Sequence, residues 1–235
     1  MEFGLLGVAV ASLAAAWLVL RATAAGELFD AVLTATVAGM LAGRVGAMIL
    51  AGTNPVTRPL DILIVRGGVD TVVASTAALV FFMWASRREL WAAADAAAPA
   101  VAAALSVWHA GCFVGGSCLG TPSTLPWAWA ASAGGVTRHP TEVYATLGLA
   151  LVAGALVILV RRRQIAPGVV AAGALLGISG IRLVTEPLRV TIGGGPWWWY
   201  AAGVLTGGAL IVWRTLIVRR AMAAAPTGDG TSSPV

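Results

Sequence analysis

"TEVYATLGLALVAGALVILVRRR", residues 141–163, decides the fold. After Glu142 the chain carries no charge until Arg161. At a helical rise of about 1.5 Å per residue, such a run matches a hydrocarbon core of about 30 Å. The apolar residues are continuous instead of alternating, and an open strand would leave its backbone groups unsatisfied in lipid, so the run reads as a helix. Three consecutive arginines close it at a membrane face.

Six further runs have the same character, at about 3–20, 31–51, 62–86, 92–113, 168–187 and 197–218. The whole chain agrees with them: 59% of its 235 residues are hydrophobic and only 11% charged, with a mean hydropathy of +0.88. That composition excludes an ordinary soluble domain and predicts an all-α polytopic membrane protein with seven transmembrane helices. Residues 1–220 then form one transmembrane domain, and the small, polar, Pro/Gly-containing end at 221–235 is expected to be a disordered cytoplasmic tail. The first run follows an acidic start, "MEFG", so it is read as a retained span in preference to a cleaved signal peptide.

All fifteen basic residues are arginine, and the net charge is +5. A basic stripe interleaved with aromatics is absent, which argues against nucleic acid as a partner. Arg21, the Arg87–Arg88 pair and Arg161 to Arg163 follow the first, third and fifth runs, and Arg214, Arg219 and Arg220 lie at the C-terminal end of the seventh. By the positive-inside rule these ends are cytoplasmic, which places the N-terminus outside and the C-terminus inside. Tryptophans 197 to 199 beside Tyr200 read as an interfacial anchor at the opposite face.

Six arginines do not serve that rule: Arg44, Arg58, Arg66, Arg138, Arg182 and Arg189 lie in or beside the outer ends of the runs. Within apolar sequence an arginine is costly unless it meets a partner, a cavity or an anion, so Arg44 and Arg182 are site candidates. In "IRLVTEPLR" the residues Arg182, Glu186 and Arg189 stand at i, i+4 and i+7, on one helix face. Two guanidiniums around one carboxylate predict a fixed positive site for a phosphate, which planar bidentate donors suit. The competing reading is an ion network that only joins helices.

His139 precedes Pro140 and is expected extended, just ahead of a helix opened by Thr141 and Glu142. It is either a base or head-group ligand, or a structural histidine, and Tyr144 follows near the interface. Cys112 and Cys118 admit a disulfide, a nucleophile with a partner, or small core side chains. With two histidines and no Cys-x-x-Cys, no metal site is expected, and no cofactor motif is found.

Four stretches together carry a resemblance. "HPTEVY" (139–144) is similar to a His-Pro-(Thr/Ser)-Gln-Leu-Tyr element, and "HAGCFVGGSCLG" with "TPSTLPWAWA" (109–130) to an Arg-Ile-Gly-Asn/Cys-Phe-x-x-Gly-x-x-x-Gly signature with its Pro-Thr-x-Leu-Pro-Trp continuation. "GIRLVTEPLR" (180–189) resembles a late Gly-x-x-Arg-x-x-x-Glu-x-x-Arg helix, and "GRVG", "RPLDIL" and "RGG" resemble early segments. In this order, over about residues 39 to 215, they resemble the prolipoprotein diacylglyceryl transferase family.

That resemblance implies a reaction at the outer leaflet of the bacterial plasma membrane. The diacylglyceryl group of phosphatidylglycerol passes to the lipobox cysteine thiol of an exported prolipoprotein, with glycerol phosphate released. Carried over by residue, it implies Arg182 for the phosphate, Glu186 to orient it and Arg189 as a second cation, with Arg44 and Arg66 as further lipid-binding residues. His109 and His139 are implied in catalysis, Tyr144 in the head-group site, and Gly111, Gly116 and Gly120 in close approach of backbone and lipid. The chain departs from the pattern where the signature arginine is His109 and where a His-Gly-Gly element reads Val72, Val73, Ala74. Alternatives are therefore a paralogue of the same fold with another acceptor, or a non-catalytic phospholipid-binding membrane subunit.

Overall fold

The structure, a computed structural model, describes residues 2–63, 68–116, 118, 120–130, 135–162, 165–190 and 195–224. Its elements are α1 (Glu2–Ala22), α2 (Phe29–Leu50), α3 (Leu60–Leu63), α4 (Thr71–Ala85), α5 (Leu90–Val114), α6 (Thr141–Arg161), α7 (Val169–Thr185) and α8 (Trp197–Ala224). The described residues are helical or irregular, with isolated β-bridges only. Five segments are long and apolar enough to cross a membrane: Gly26–Leu50, Leu90–Val114, Thr141–Arg161, Val169–Leu188 and Trp197–Val218. Gly7–Ala22 and Thr71–Ala85 are shorter apolar helices.

The third expected run, 62–86, is not one helix. Gly68 adopts a left-handed conformation (φ +76°), and Asp70 then starts α4 as its N-cap, its Oδ1 accepting from Val73 N at 2.8 Å. A carboxylate that satisfies a first-turn N–H is worth about 1 kcal/mol and fixes where a helix begins. Of the expected tail 221–235, residues 221–224 belong to α8 and 225–235 lie outside the described residues.

α5 lies at the centre. One of its faces packs Ala97 and Ala100 with Ala16, Leu20 and Val32 of α1 and α2. Another packs Ala98 and Ala102 with Ala153, Leu156, Val170 and Ala174 of α6 and α7. Small side chains suit this position because association within lipid depends on close van der Waals approach and not on water exclusion. The large apolar side chains point the other way: Leu50, Leu151 and Leu205 are each more than 70% exposed.

Two helix pairs use glycines four residues apart. On α2 a Cβ at Gly39 would stand 2.7 Å from Ala74 O, and one at Gly43 2.6 Å from Ala74 Cβ of α4. On α8 a Cβ at Gly207 would stand 2.7 Å from Leu176 N of α7, and Gly203 abuts Ser179. These are small-xxx-small contacts that let backbones touch. At the opposite end, Asp95 of α5 accepts from Gly168 N (2.6 Å) and Ala171 N (2.7 Å), capping α7 from a neighbouring helix. Arg214 Nε donates to Pro167 O at 2.7 Å beside that cap. This lock sets where α7 starts, and hence how deep Arg182 lies along it.

Candidate functional site: a buried chain of alternating charge

α7 ends at Thr185 because Pro187 has no N–H to continue the ladder, and Glu186–Leu188 tighten into a 3₁₀ turn. Arg182 and Glu186 remain one helical turn apart, with Arg182 Nη2 donating to Glu186 Oε2 at 2.6 Å. Arg189 has left the helix for an extended conformation, yet its Nη1 still reaches Glu186 Oε2 at 3.4 Å. The expected grouping of the three residues is therefore found, although the turn, and not a continuous helix, holds it together.

What the sequence did not reveal is the fourth member. Glu142, in the first turn of α6, is 1% exposed. Its Oε1 forms an ion pair with Arg189 Nε at 3.1 Å, and its Oε2 lies 2.5 Å from His109 Nδ1 of α5. An ionised carboxylate can only accept, so Nδ1 carries the hydrogen in this contact. The result is a chain, His109–Glu142–Arg189–Glu186–Arg182, drawn from three helices.

This changes the electrostatics expected from sequence. Two guanidiniums face two carboxylates, Glu186 and Glu142, where the sequence suggested two guanidiniums around one. Burial makes each partner indispensable, because an uncompensated charge in a low-dielectric interior costs several kcal/mol. A further cation lies close by: Arg138 Nη1 donates to Gly120 O at 3.1 Å. Arg182 adds one asymmetry. It is 6% exposed, its guanidinium carbon lies 5.4 Å from the Tyr200 ring centroid, and its Nη1 has no hydrogen-bond partner among the described residues.

The glycine signature is stitched over this chain. Thr121 N donates to Leu188 O at 2.8 Å, His139 N donates to Thr121 O at 3.0 Å, and Gly120 bridges to Arg189. A Cβ on Gly120 would overlap the His139 carbonyl, so only glycine fits there. Gly116 takes a left-handed conformation (φ +63°), and Gly111 packs against Val8 of α1. Cys112 and Cys118 form a disulfide, with Cα atoms 5.8 Å apart, that returns the loop to the end of α5. Their sulfurs and a Glu142 oxygen lie within 4.8 Å of one another. The joined sulfurs offer no thiolates, so the trio is a poor ion ligand.

His139 stands just ahead of α6, outside any helix, and its Nδ1 is buried without a partner among the described residues. It meets Tyr144 edge to face at 6.3 Å, and the Tyr144 hydroxyl accepts from Trp127 Nε1 at 2.6 Å. His139, Gly116, Gly120 and Trp129 share the lining of a cleft of about 270 Å³.

Two further residues were expected at the site. Arg44 is buried on α2, where Nε donates to Asp61 O and Nη1 to Gly68 O, each at 3.0 Å. It fastens the segment before α4, and these bonds do not join it to Arg182. Arg66 lies outside the described residues.

Comparison with known proteins follows the same boundaries. A profile of the family described as prolipoprotein diacylglyceryl transferase matches residues 3–222. Three similar proteins bear the name phosphatidylglycerol–prolipoprotein diacylglyceryl transferase. One from a Shewanella species is 32% identical over 127 residues, covering 53% of this chain and 46% of that relative. The chain thus matches a little under half the length of the Shewanella protein. One from Cupriavidus pinatubonensis is 26% identical over 210 residues, or 82% and 76% of the two chains. One from Sinorhizobium medicae is 29% identical over 214 residues, or 85% and 76%.

Proposed function

The chain belongs to the prolipoprotein diacylglyceryl transferase family, and on that premise we propose that it is a phospholipid-dependent transferase. It moves the diacylglyceryl group of phosphatidylglycerol to the lipobox cysteine of an exported prolipoprotein. The observation that carries this reading is Arg182: one guanidinium nitrogen is held by Glu186 and another is buried without an acceptor among the described residues. A buried donor left unpaired costs about 1–3 kcal/mol, which a phosphate oxygen recovers, and a charge-assisted bond to phosphate is stronger than a neutral one.

In this reading Arg182 binds the phosphate, Glu186 orients that guanidinium and Arg189 is the second cation. His139 and Tyr144 border the head group, and Gly111, Gly116 and Gly120 let backbone and lipid approach. The helices cross the bacterial plasma membrane seven times, with the N-terminus and the site outside and the C-terminus in the cytoplasm. The arginine distribution supports that orientation.

The test uses vesicles that contain the protein, phosphatidylglycerol and a lipobox peptide. The expected products are a peptide heavier by one diacylglyceryl group and free glycerol phosphate, both lost with Arg182→Ala. A protein that yields neither product, yet binds phosphatidylglycerol through Arg182, is a binding subunit instead. A second reading, a different acceptor, is favoured by His109 at the signature arginine and by Val72, Val73, Ala74 at the His-Gly-Gly element. Glycerol phosphate release without peptide modification identifies it.

A further inference from the structure

We propose that His109 and Glu142 work as one unit in this transferase, the Glu142 carboxylate holding the imidazole so that its Nε2 takes the proton of the acceptor thiol. The inference rests on the transferase reading and names the base that reading lacks. A thiol at its ordinary pKa of about 8.5 is only a few per cent thiolate near neutral pH, and the thiolate is the nucleophile.

The geometry supplies the parts of a general base. Glu142 is 1% exposed and His109 12%, and they meet at 2.5 Å from two different helices. Bonding Nδ1–H to a carboxylate fixes both the ring and the tautomer, and leaves the lone pair on Nε2. Among the described residues Nε2 has no hydrogen-bond partner. Arg189, on the far side of Glu142, pairs with its other carboxylate oxygen at 3.1 Å. The other groups around the pair do not compete for the proton. The nearby Cys112–Cys118 disulfide does not titrate, α1 presents apolar Val8 beside Gly111, and Glu186 is occupied by Arg182 and Arg189.

The step balances as follows. The thiol proton passes to Nε2, and the sulfur forms a bond to the diacylglyceryl carbon that bears the phosphate. The carbon–oxygen bond breaks with its electron pair on the phosphate oxygen, which leaves as glycerol phosphate. The leaving group gains one negative charge as it departs. Protonation of His109 thus adds one positive charge beside the bound phosphate as the nucleophile is made. The proton then returns to the phosphate or to solvent. His109 is the catalytic residue in this scheme, and Glu142 positions it.

The test is a pH series of transfer rates for the full chain in phosphatidylglycerol vesicles with a lipobox peptide. Wild type, His109→Gln, His109→Ala and Glu142→Gln are compared. General-base loss costs about 10²–10⁴-fold. His109→Gln should fall at least about 100-fold in kcat at pH 7 with KM for the lipid nearly unchanged, and the gap should close toward pH 9, where solution ionises the thiol unaided. Added imidazole should restore part of the His109→Ala rate. Glu142→Gln should slow transfer about tenfold or more, and nitrogen NMR should show His109 losing its fixed Nδ1–H tautomer.

Each contrary outcome decides something. Undiminished transfer by His109→Gln at pH 7 overturns the proposal while the transferase reading stands. A loss that is equal at every pH, without imidazole rescue, makes His109 structural and also overturns it. If Glu142→Gln leaves rate and tautomer unaltered, the unit does not exist. An inactive wild type removes the transferase reading, and this inference falls with it.

Discussion

The guanidinium of Arg189 bridges two buried carboxylates, 3.1 Å from Glu142 Oε1 and 3.4 Å from Glu186 Oε2. It is the only link between the α6 half and the α7 half of the charge chain among the described residues. Arg189→Gln therefore leaves two buried carboxylates facing one another with one arginine to share. Losing one member of a buried pair costs about 3–5 kcal/mol. Because the Arg189 side chain is 25% exposed, about 2 kcal/mol is expected. The double variant Arg189→Gln with Glu142→Gln should lose less than the sum of the two single losses. Thermal unfolding of the three variants in one detergent measures the coupling, and strict additivity would contradict the bridge.

The glycine contacts separate packing from helix propensity. Gly207→Ala places a methyl against the Leu176 and Ala172 backbone, and should lower stability by about 1–3 kcal/mol, as overpacking does. Gly154 is exposed, with nothing within 4 Å of an added Cβ. Gly154→Ala should be neutral or stabilise by up to about 1 kcal/mol, because alanine is the better helix former. Equal effects at the two positions would mean that α7 and α8 do not touch as described.

Asp95 spends its carboxylate on the first N–H groups of α7. Asp95→Ala should cost about 1–2 kcal/mol, the usual value of a lost cap. Hydrogen exchange should rise at Gly168 and Ala171 first. Protection unchanged at those two amides would place the helix start elsewhere.

The Cys112–Cys118 link closes a short loop, for which the chain-entropy account gives about 2 kcal/mol. Peptide mapping without reductant should recover 112 and 118 in one linked fragment. Reduction should lower the unfolding midpoint, and it should loosen the stretch around Gly116 before it affects α6. Two free thiols in the oxidised protein would contradict the pairing.

Local chemistry made much of this molecule legible. Seven apolar runs fell within a few residues of observed helices, except where Asp70 starts α4, and Pro140 marked the entry to α6. Arg182 and Glu186 could be paired because helical spacing is local. Glu142 was passed over as an ordinary first-turn acid, since α6 itself offers it no basic side chain three or four residues on. That lack of a local partner was the available signal: a carboxylate entering lipid without a neighbouring cation needs a distant one. The spacings Gly39-x₃-Gly43 and Gly203-x₃-Gly207 were likewise present in the sequence as small-residue motifs, although only their partners show which helices they join.

By itself, the sequence determined that this chain is all-helical with several helices long and apolar enough to cross a membrane, and it singled out Arg44 and Arg182 as arginines within apolar sequence. Hydropathy and charge placement act residue by residue, so they are visible without coordinates. Only the tertiary structure decided the charge of the site. Glu142 is 33 residues from His109 and lies on a different element from Arg189, which follows the turn after α7, so no periodicity could bring the three together. Packing of α5, α6 and α7 did so, and it added a second carboxylate and a histidine to the expected group of Arg182, Glu186 and Arg189.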